Sequence, residues 1–305
     1  MIPSFALALG APIVAGVGAL AGARWAVGKL RRRLLLPHKP AERTPADLGL
    51  SSEDLTLVRP DGVVIAAWFI PGRTRRTLLL LHGAGGERSS LLEFAARFHH
   101  HGYTVCLPDM RGHGASSPAV CTFGLRESAD MVALLDRLEQ RPEVDAQAMG
   151  VFGTSMGAAV ALLTAALDPR LKGVVADSAY ARLADVLRRR RHAGLYGLLT
   201  PIRRRLIQEA SGFRVGQVDV ARAIAAMPPR PVLLIHGTHD EIVPVAQSDL
   251  LYAALPEPKQ MWVVEGAGHV EAFRPDPTAY EERVIAWVDA VLPDAAGAVA
   301  AVSRP

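Results

Sequence analysis

The sequence predicts an α/β protein: a doubly wound, mostly parallel sheet with helices on both faces and an antiparallel hairpin at one edge. Three observations predict it. Short apolar runs alternate with helical patterns from residue 54 to residue 292. One of these runs, 77–81, is unbroken, as expected of a strand buried on both faces of a parallel sheet. Two strand patterns, 54–58 and 63–70, are separated by the turn signal Pro60-Asp61-Gly62. The chain has 305 residues, 50% hydrophobic and 21% charged, enough to bury one large core or two small ones. That composition excludes a disordered chain, a collagen and a disulfide scaffold.

Past the hairpin each element has its own signal. Residues 89–101 place Leu91, Phe94, Ala95 and Phe98 on one helical face, with Ser90 and Glu93 as a capping box and Gly102 as the stop. A strand follows over 103–107, then a helix over 125–140 with Leu125, Ala129, Val132 and Leu135 turned inward. A strand over 148–152 leads into a helix over 156–167. Further strands are expected at 172–176, 232–235 and 261–264, and 276–292 is a closing amphipathic helix. Residues 181–226 are far longer than a simple crossover requires, and they leave the carboxyl end of a parallel strand, where ligands bind. We expect them to form a helical cap.

The N-terminal region carries a different signal. Residues 2–23 are 22 residues without a charge, long enough to cross a bilayer. The positive charge follows this run, which disfavours a signal peptide, and the run has almost no polar face with which to pack on a domain. The expected organisation is a single transmembrane anchor over 1–30, a basic, Pro-rich linker over 31–53, a catalytic domain over 54–292 and a disordered tail over 293–305. The positive-inside bias then places the domain in the cytoplasm. Net charge is +6 over residues 24–43, +7 over 181–214 and −9 over the remainder. Such segments suit an anionic membrane surface as partner. Nucleic acid is excluded, because the arginines have no aromatic interleaving and no binding motif beside them. Cys106 and Cys121 belong to no C-x-x-C pair, so there is no thiolate metal cage and no redox motif.

The chemistry centres on Gly153-Thr154-Ser155-Met156-Gly157, which matches G-x-S-x-G between a strand and a helix. A nucleophile must project from a sharp turn, and small neighbours allow that turn. Serine also needs a base. His269, in Gly266-Ala267-Gly268-His269, follows a predicted strand on the edge that bears Ser155. His239 is the rival base. Asp240 and Asp177 both follow strands, and either suits the acid that would hold the imidazole. His99, His100 and His101 are consecutive and share no face for a metal, and His113 and His236 suit structural roles. The loop His82-Gly83-Ala84-Gly85-Gly86 is small enough for backbone N–H groups to reach a reacting carbonyl. The expected oxyanion donors are the amides of Ala84 and Met156.

Taken together, His82-Gly83, Asp109-Met110-Arg111-Gly112-His113-Gly114, Gly153–Gly157, His236–Asp240 and Gly266–His269 resemble the α/β-hydrolase family in content and order over about residues 54–292. Within it the chain looks like the membrane-anchored serine hydrolases related to animal depalmitoylases and their bacterial single-pass relatives. The resemblance implies an eight-stranded sheet and a triad of Ser155, Asp240 and His269, with Asp240 preferred over Asp177. It implies hydrolysis of carboxylic esters or thioesters, of small or lipid-like acyl substrates, without metal or organic cofactor. A serine peptidase or amidase of the same fold, and a non-catalytic membrane-tethered binding module, are the alternatives.

Overall fold

The computed structural model describes residues 39–189, 208 and 212–292. Eight strands form one sheet: β1 (Glu53–Val58), β2 (Val64–Ile70), β3 (Thr77–Leu81), β4 (Thr104–Pro108), β5 (Met149–Thr154), β6 (Leu171–Asp177), β7 (Val232–Gly237) and β8 (Lys259–Val264). Their spatial order is β1-β2-β4-β3-β5-β6-β7-β8. β2 is antiparallel to β1 and β4, and every later pair is parallel. The carboxyl ends of β3, β5, β7 and β8 therefore open at one edge, and all the expected site residues leave from there.

Alternation within the strands builds two cores. Leu79 and Leu81 of β3 point to one face and Leu78 and Leu80 to the other. The first face is covered by α2 (Glu127–Leu138), α3 (Met156–Leu167), α4 (Leu183–Arg189), α5 (Val220–Ile224) and α6 (Ala246–Ala254). The second is covered by α1 (Leu92–His100) and α7 (Pro277–Val291). α6 has no counterpart in the sequence reading. The β1–β2 turn closes as expected, with Gly62 at φ 80° and its N–H donating to Arg59 O at 2.9 Å.

Several local expectations are corrected. A 3-10 turn over Arg88–Leu91 precedes α1, and its cap is Glu87, whose carboxylate accepts from Ser89 N–H at 2.6 Å while Ser90 Oγ accepts from Glu87 N–H at 3.1 Å. Glu93 takes no part in that cap and reaches Arg43 Nη1 at 2.6 Å. Leu125 lies in the turn before α2 and is exposed, as is Ala129 within it, and the buried face carries Glu127, Ser128, Met131, Leu134 and Leu138. Two carboxylates can be buried there because each is fully engaged. Glu127 accepts from Thr122 N–H, Thr122 Oγ1 and Gly124 N–H, and Asp130 accepts from Arg111 and Arg59.

The single-pass membrane location is also corrected. No helix among the described residues is long and apolar enough to cross a membrane. α3 is apolar all round because it is buried, and its 12 residues extend about 18 Å against the roughly 30 Å of a bilayer core. The 15 residues of α7 carry Glu281, Glu282, Arg283 and Asp289. The expected span over 2–23, the tail over 293–305 and most of the cap arginines lie outside the described residues. Two cap arginines that are described have acidic neighbours. Arg188 pairs with Asp185, and Arg182 lies 3.7 Å from Asp219, just past the basic 181–214 segment.

Candidate active site

Ser155 is the single residue between β5 and α3. Its backbone sits at φ 54° and ψ −115°, a region that costs a non-glycine residue about 1–3 kcal/mol. The turn is possible because its flanks have no side chain. A Cβ on Gly153 would lie 2.3 Å from Gly157 O, and one on Gly157 would lie 2.0 Å from Leu81 O. Ser155 N–H donates to Asp177 O at 2.8 Å, which ties the turn to the end of β6. The hydroxyl does not cap α3.

The structure brings Ser155, His269 and Asp240 together. His269 Nε2 lies 2.8 Å from Ser155 Oγ, and His269 Nδ1 lies 2.7 Å from Asp240 Oδ2. The other oxygen, Asp240 Oδ1, accepts the N–H groups of Ile242 (2.9 Å) and Val243 (2.8 Å). Burial works to raise the Asp240 carboxyl, but hydrogen bonds from His236, His269 and the Val243 amide outweigh it and hold the group well below the usual carboxylate range. The loops after β7 and β8 are laced to each other. His239 N–H donates to Ala267 O at 2.9 Å, and a Cβ on Gly237 would meet that same oxygen at 2.2 Å. The His239 side chain is exposed.

Asp177, the rival acid, faces elsewhere. Its two oxygens accept Ser178 Oγ–H and Tyr280 O–H, each at 2.8 Å. Burial pushes its carboxyl above the usual range against those two hydrogen bonds. Ser178 Oγ in turn accepts Val270 N–H at 3.0 Å, so Asp177 braces the residue after His269 from behind. Sequence reasoning missed Ser178 and Tyr280. The only trace of them was an aspartate at a strand end and an aromatic in a closing helix.

The loop carrying Ala84 is pinned by two imidazoles. His82 is fully buried, and burial, together with the neighbouring His113, pushes its pKa down to about 3. It is therefore neutral at neutral pH, with Nε2 accepting Met110 N–H at 3.1 Å and Nδ1–H donating to Gly83 O at 2.8 Å. His113 Nε2 accepts Gly85 N–H at 3.2 Å. Gly83 O is thus turned toward the imidazole of His82. Ala84 lines the cavity with Ser155 and His269. The amide of Met156 belongs to the first turn of α3, where N–H groups lack an intrahelical partner. The Asp109–Gly114 motif is structural. Asp109 accepts Arg88 N–H (2.7 Å) and Ala115 N–H (2.8 Å), and Arg111 forks onto Asp130 and reaches Asp61.

A cavity of about 480 Å³ opens at Ser155. Leu91, Phe94, Val270, Phe273 and Tyr280 give it an apolar, aromatic wall between α1 and α7. Phe94 sits edge-on to Phe273 at 6.0 Å. Arg97 pairs with Glu281 across the same wall, and Glu93 is engaged by Arg43. The sequence marked Phe94 only as an inward-facing helix residue. Among the described residues no cluster of three or more His, Cys, Asp or Glu is placed to hold a metal ion. Cys106 and Cys121 are free and buried, and burial pushes the Cys106 thiol up to about 12.

A strand–Ser–helix turn with His269 and Asp240 beside it, on an eight-stranded sheet with only β2 reversed, defines a hydrolase of the α/β fold, and the chain belongs to the α/β-hydrolase family. A family model described as serine aminopeptidase, S33, matches residues 72–215. The protein Rv2307c of Mycobacterium tuberculosis is 31% identical over 264 residues, 85% of this chain and 87% of that one. The α/β hydrolase domain-containing protein WAV2 of Arabidopsis thaliana is 28% identical over 225 residues, 69% of this chain and 68% of that one. Among solved structures, the Pyrococcus furiosus esterase Pf2001 superposes with a TM-score of 0.71 at 25% identity, covering 84% of this chain and 97% of that one.

Proposed function

We propose that this chain is a serine hydrolase that cleaves carboxylic esters or thioesters through an acyl-enzyme on Ser155. The observation that carries the reading is the unbroken chain from Ser155 Oγ through His269 to Asp240, at 2.8 and 2.7 Å. On this reading His269 Nε2 takes the Ser155 proton as Oγ attacks the acyl carbon, and Asp240 stabilises the imidazolium at Nδ1–H. The amides of Ala84 and Met156 receive the charge that develops on the carbonyl oxygen. His269 then protonates the departing alcohol or thiol, and water attacks the acyl-enzyme by the same route in reverse.

The apolar wall of the cavity suits a hydrophobic acyl or alcohol group. The family model's description favours a second reading, a peptidase that holds a free α-amine. The carboxylates available for that amine, Glu93 and Glu281, are already engaged by Arg43 and Arg97, so we prefer the ester reading. The test is a screen of the purified protein against p-nitrophenyl esters, acyl thioesters and aminoacyl amides, with fluorophosphonate labelling mapped by peptide mass. Ester or thioester turnover with label on Ser155 is the expected result. Turnover of aminoacyl amides alone shifts the reading to a peptidase. No turnover and no label removes the enzyme reading.

Asp240→Asn adds a pH signature. A carboxyl held below its unfolded value, about 3.9, stabilises the fold above that value, and the contribution is lost as pH falls through the lower folded value. The unfolding midpoint of Asp240→Asn should lie below wild type near neutral pH, and the gap should begin to narrow below about pH 3.9, where the unfolded chain takes up a proton that folded Asp240 still refuses. Urea denaturation of both proteins from about pH 7 to about pH 2.5 measures it. A gap that does not change with pH contradicts the placement of Asp240 as a hydrogen-bonded carboxylate.

A further inference from the structure

The Asp240 carboxylate is also held from a side that the proposed chemistry does not use. His236, at the end of β7, is fully buried, with its side chain 0% exposed. Its Nε2 lies 3.2 Å from Asp240 Oδ2, the same oxygen that faces His269, and 2.8 Å from Val243 O. Both neighbours only accept, so Nε2 carries a proton. On the far side of the ring, Nδ1 lies 2.7 Å from Ser248 Oγ on α6. One carboxylate oxygen thus sits between two imidazoles.

We propose that His236 is a positioning residue: its Nε2–H fixes Asp240 Oδ2 against His269 and sets how strongly that oxygen stabilises a protonated His269. This rests on the serine hydrolase reading above. The physical argument is one of competition. A carboxylate oxygen that already accepts one hydrogen bond is a weaker partner for a second, and the donor's positive end lies toward the imidazolium. With the donor removed, Asp240 Oδ2 is a stronger acceptor for the Nδ1–H of a protonated His269, and Asp240 loses one of the groups that holds it in place. The titratable groups around His236 are Asp240 on its own loop, His269 on the loop after β8, and Asp177 at the end of β6 with its oxygens taken by Ser178 and Tyr280. From α6 the uncharged Ser248 contacts the ring, next to the exposed Asp249.

The experiment compares pH profiles of kcat and kcat/KM for wild type, His236→Met, His236→Gln and Ser248→Ala on one ester, with Ser155→Ala as control. In His236→Met the acid limb should move up by about 0.5 to 1 pH unit. Its kcat should fall about tenfold or more, with KM within about twofold, because His236 lies off the cavity wall. His236→Gln keeps an N–H near the Nε2 position and should hold the limb close to wild type. If His236→Met and His236→Gln keep the wild-type limb, or move it equally, His236 has only a packing role and the proposal is overturned. If His236→Met does not fold, Ser248→Ala decides: it leaves the ring in place but weakens it as a donor. A smaller upward shift there supports the proposal, and no shift overturns it. A Ser155→Ala control that keeps its activity removes the hydrolase reading itself. With that control inactive, the His236 result bears on positioning alone.

Discussion

Ser155→Ala should lose about 10⁴- to 10⁶-fold in kcat while unfolding within a few degrees of wild type. The hydroxyl does not cap α3, and its partner is His269 Nε2, so its removal costs chemistry and little packing. Alanine meets the same φ of 54° that serine does, so backbone strain is unchanged. His269→Ala should be almost as damaging, and the double variant no worse than the worse single one, because residues that act as a unit lose their effect together. Initial rates on the preferred ester, with thermal melts of the same samples, measure this. A Ser155→Ala protein that keeps even a tenth of wild-type activity rejects Ser155 as the nucleophile.

Among the described glycines, Gly157→Ala should be the most destabilising added methyl group. The new Cβ would stand 2.0 Å from Leu81 O, 2.5 Å from Leu81 C and 2.6 Å from His82 O. All three are backbone atoms, which cannot rotate out of the way as a side chain can. Either α3 withdraws from β3 or the end of β3 bends, and overpacking of this kind costs about 3 kcal/mol or more. The same displacement moves His82, and with it the loop that bears Ala84, so activity falls more than the folded fraction does. Urea unfolding and the specific activity of the soluble fraction separate the two effects. Gly62→Ala is the control: it has open space around the new Cβ, and only its φ of 80° disfavours alanine.

The parts of the fold visible in the sequence were those set by local chemistry. Leu78 to Leu81 cannot be an amphipathic element, and the strand there is as expected. The helix from Met156 to Leu167 begins where the G-x-S-x-G turn must end. What escaped was set by distant partners. α2 buries Glu127 and Asp130 because Thr122, Arg59 and Arg111 reach them, and no periodicity shows that. Likewise the choice between Asp240 and Asp177 depends on which carboxylate faces His269, a matter of how the loops after β7 and β8 lean together. The brace from Tyr280 through Asp177 and Ser178 to Val270 spans residues about a hundred positions apart and has no local signature at all. The apolar run at 2–23 shows the opposite limit, since composition alone suggested a location that no described helix supports.

The order of strands in the sheet has a consequence for folding. The three proposed catalytic side chains are joined by contacts spanning 29 and 114 residues, and the loop carrying Ala84 leaves a strand before all of them. No supersecondary unit of this chain contains a complete site, so reactivity cannot appear in a nascent or partly unfolded molecule. Contacts of such long range carry a large loop-closure cost and slow folding. On the serine hydrolase reading, the fraction of molecules that a fluorophosphonate labels during refolding should therefore track the chains in which β3, β5, β7 and β8 have all found their neighbours. That fraction should trail any spectroscopic measure of helix content.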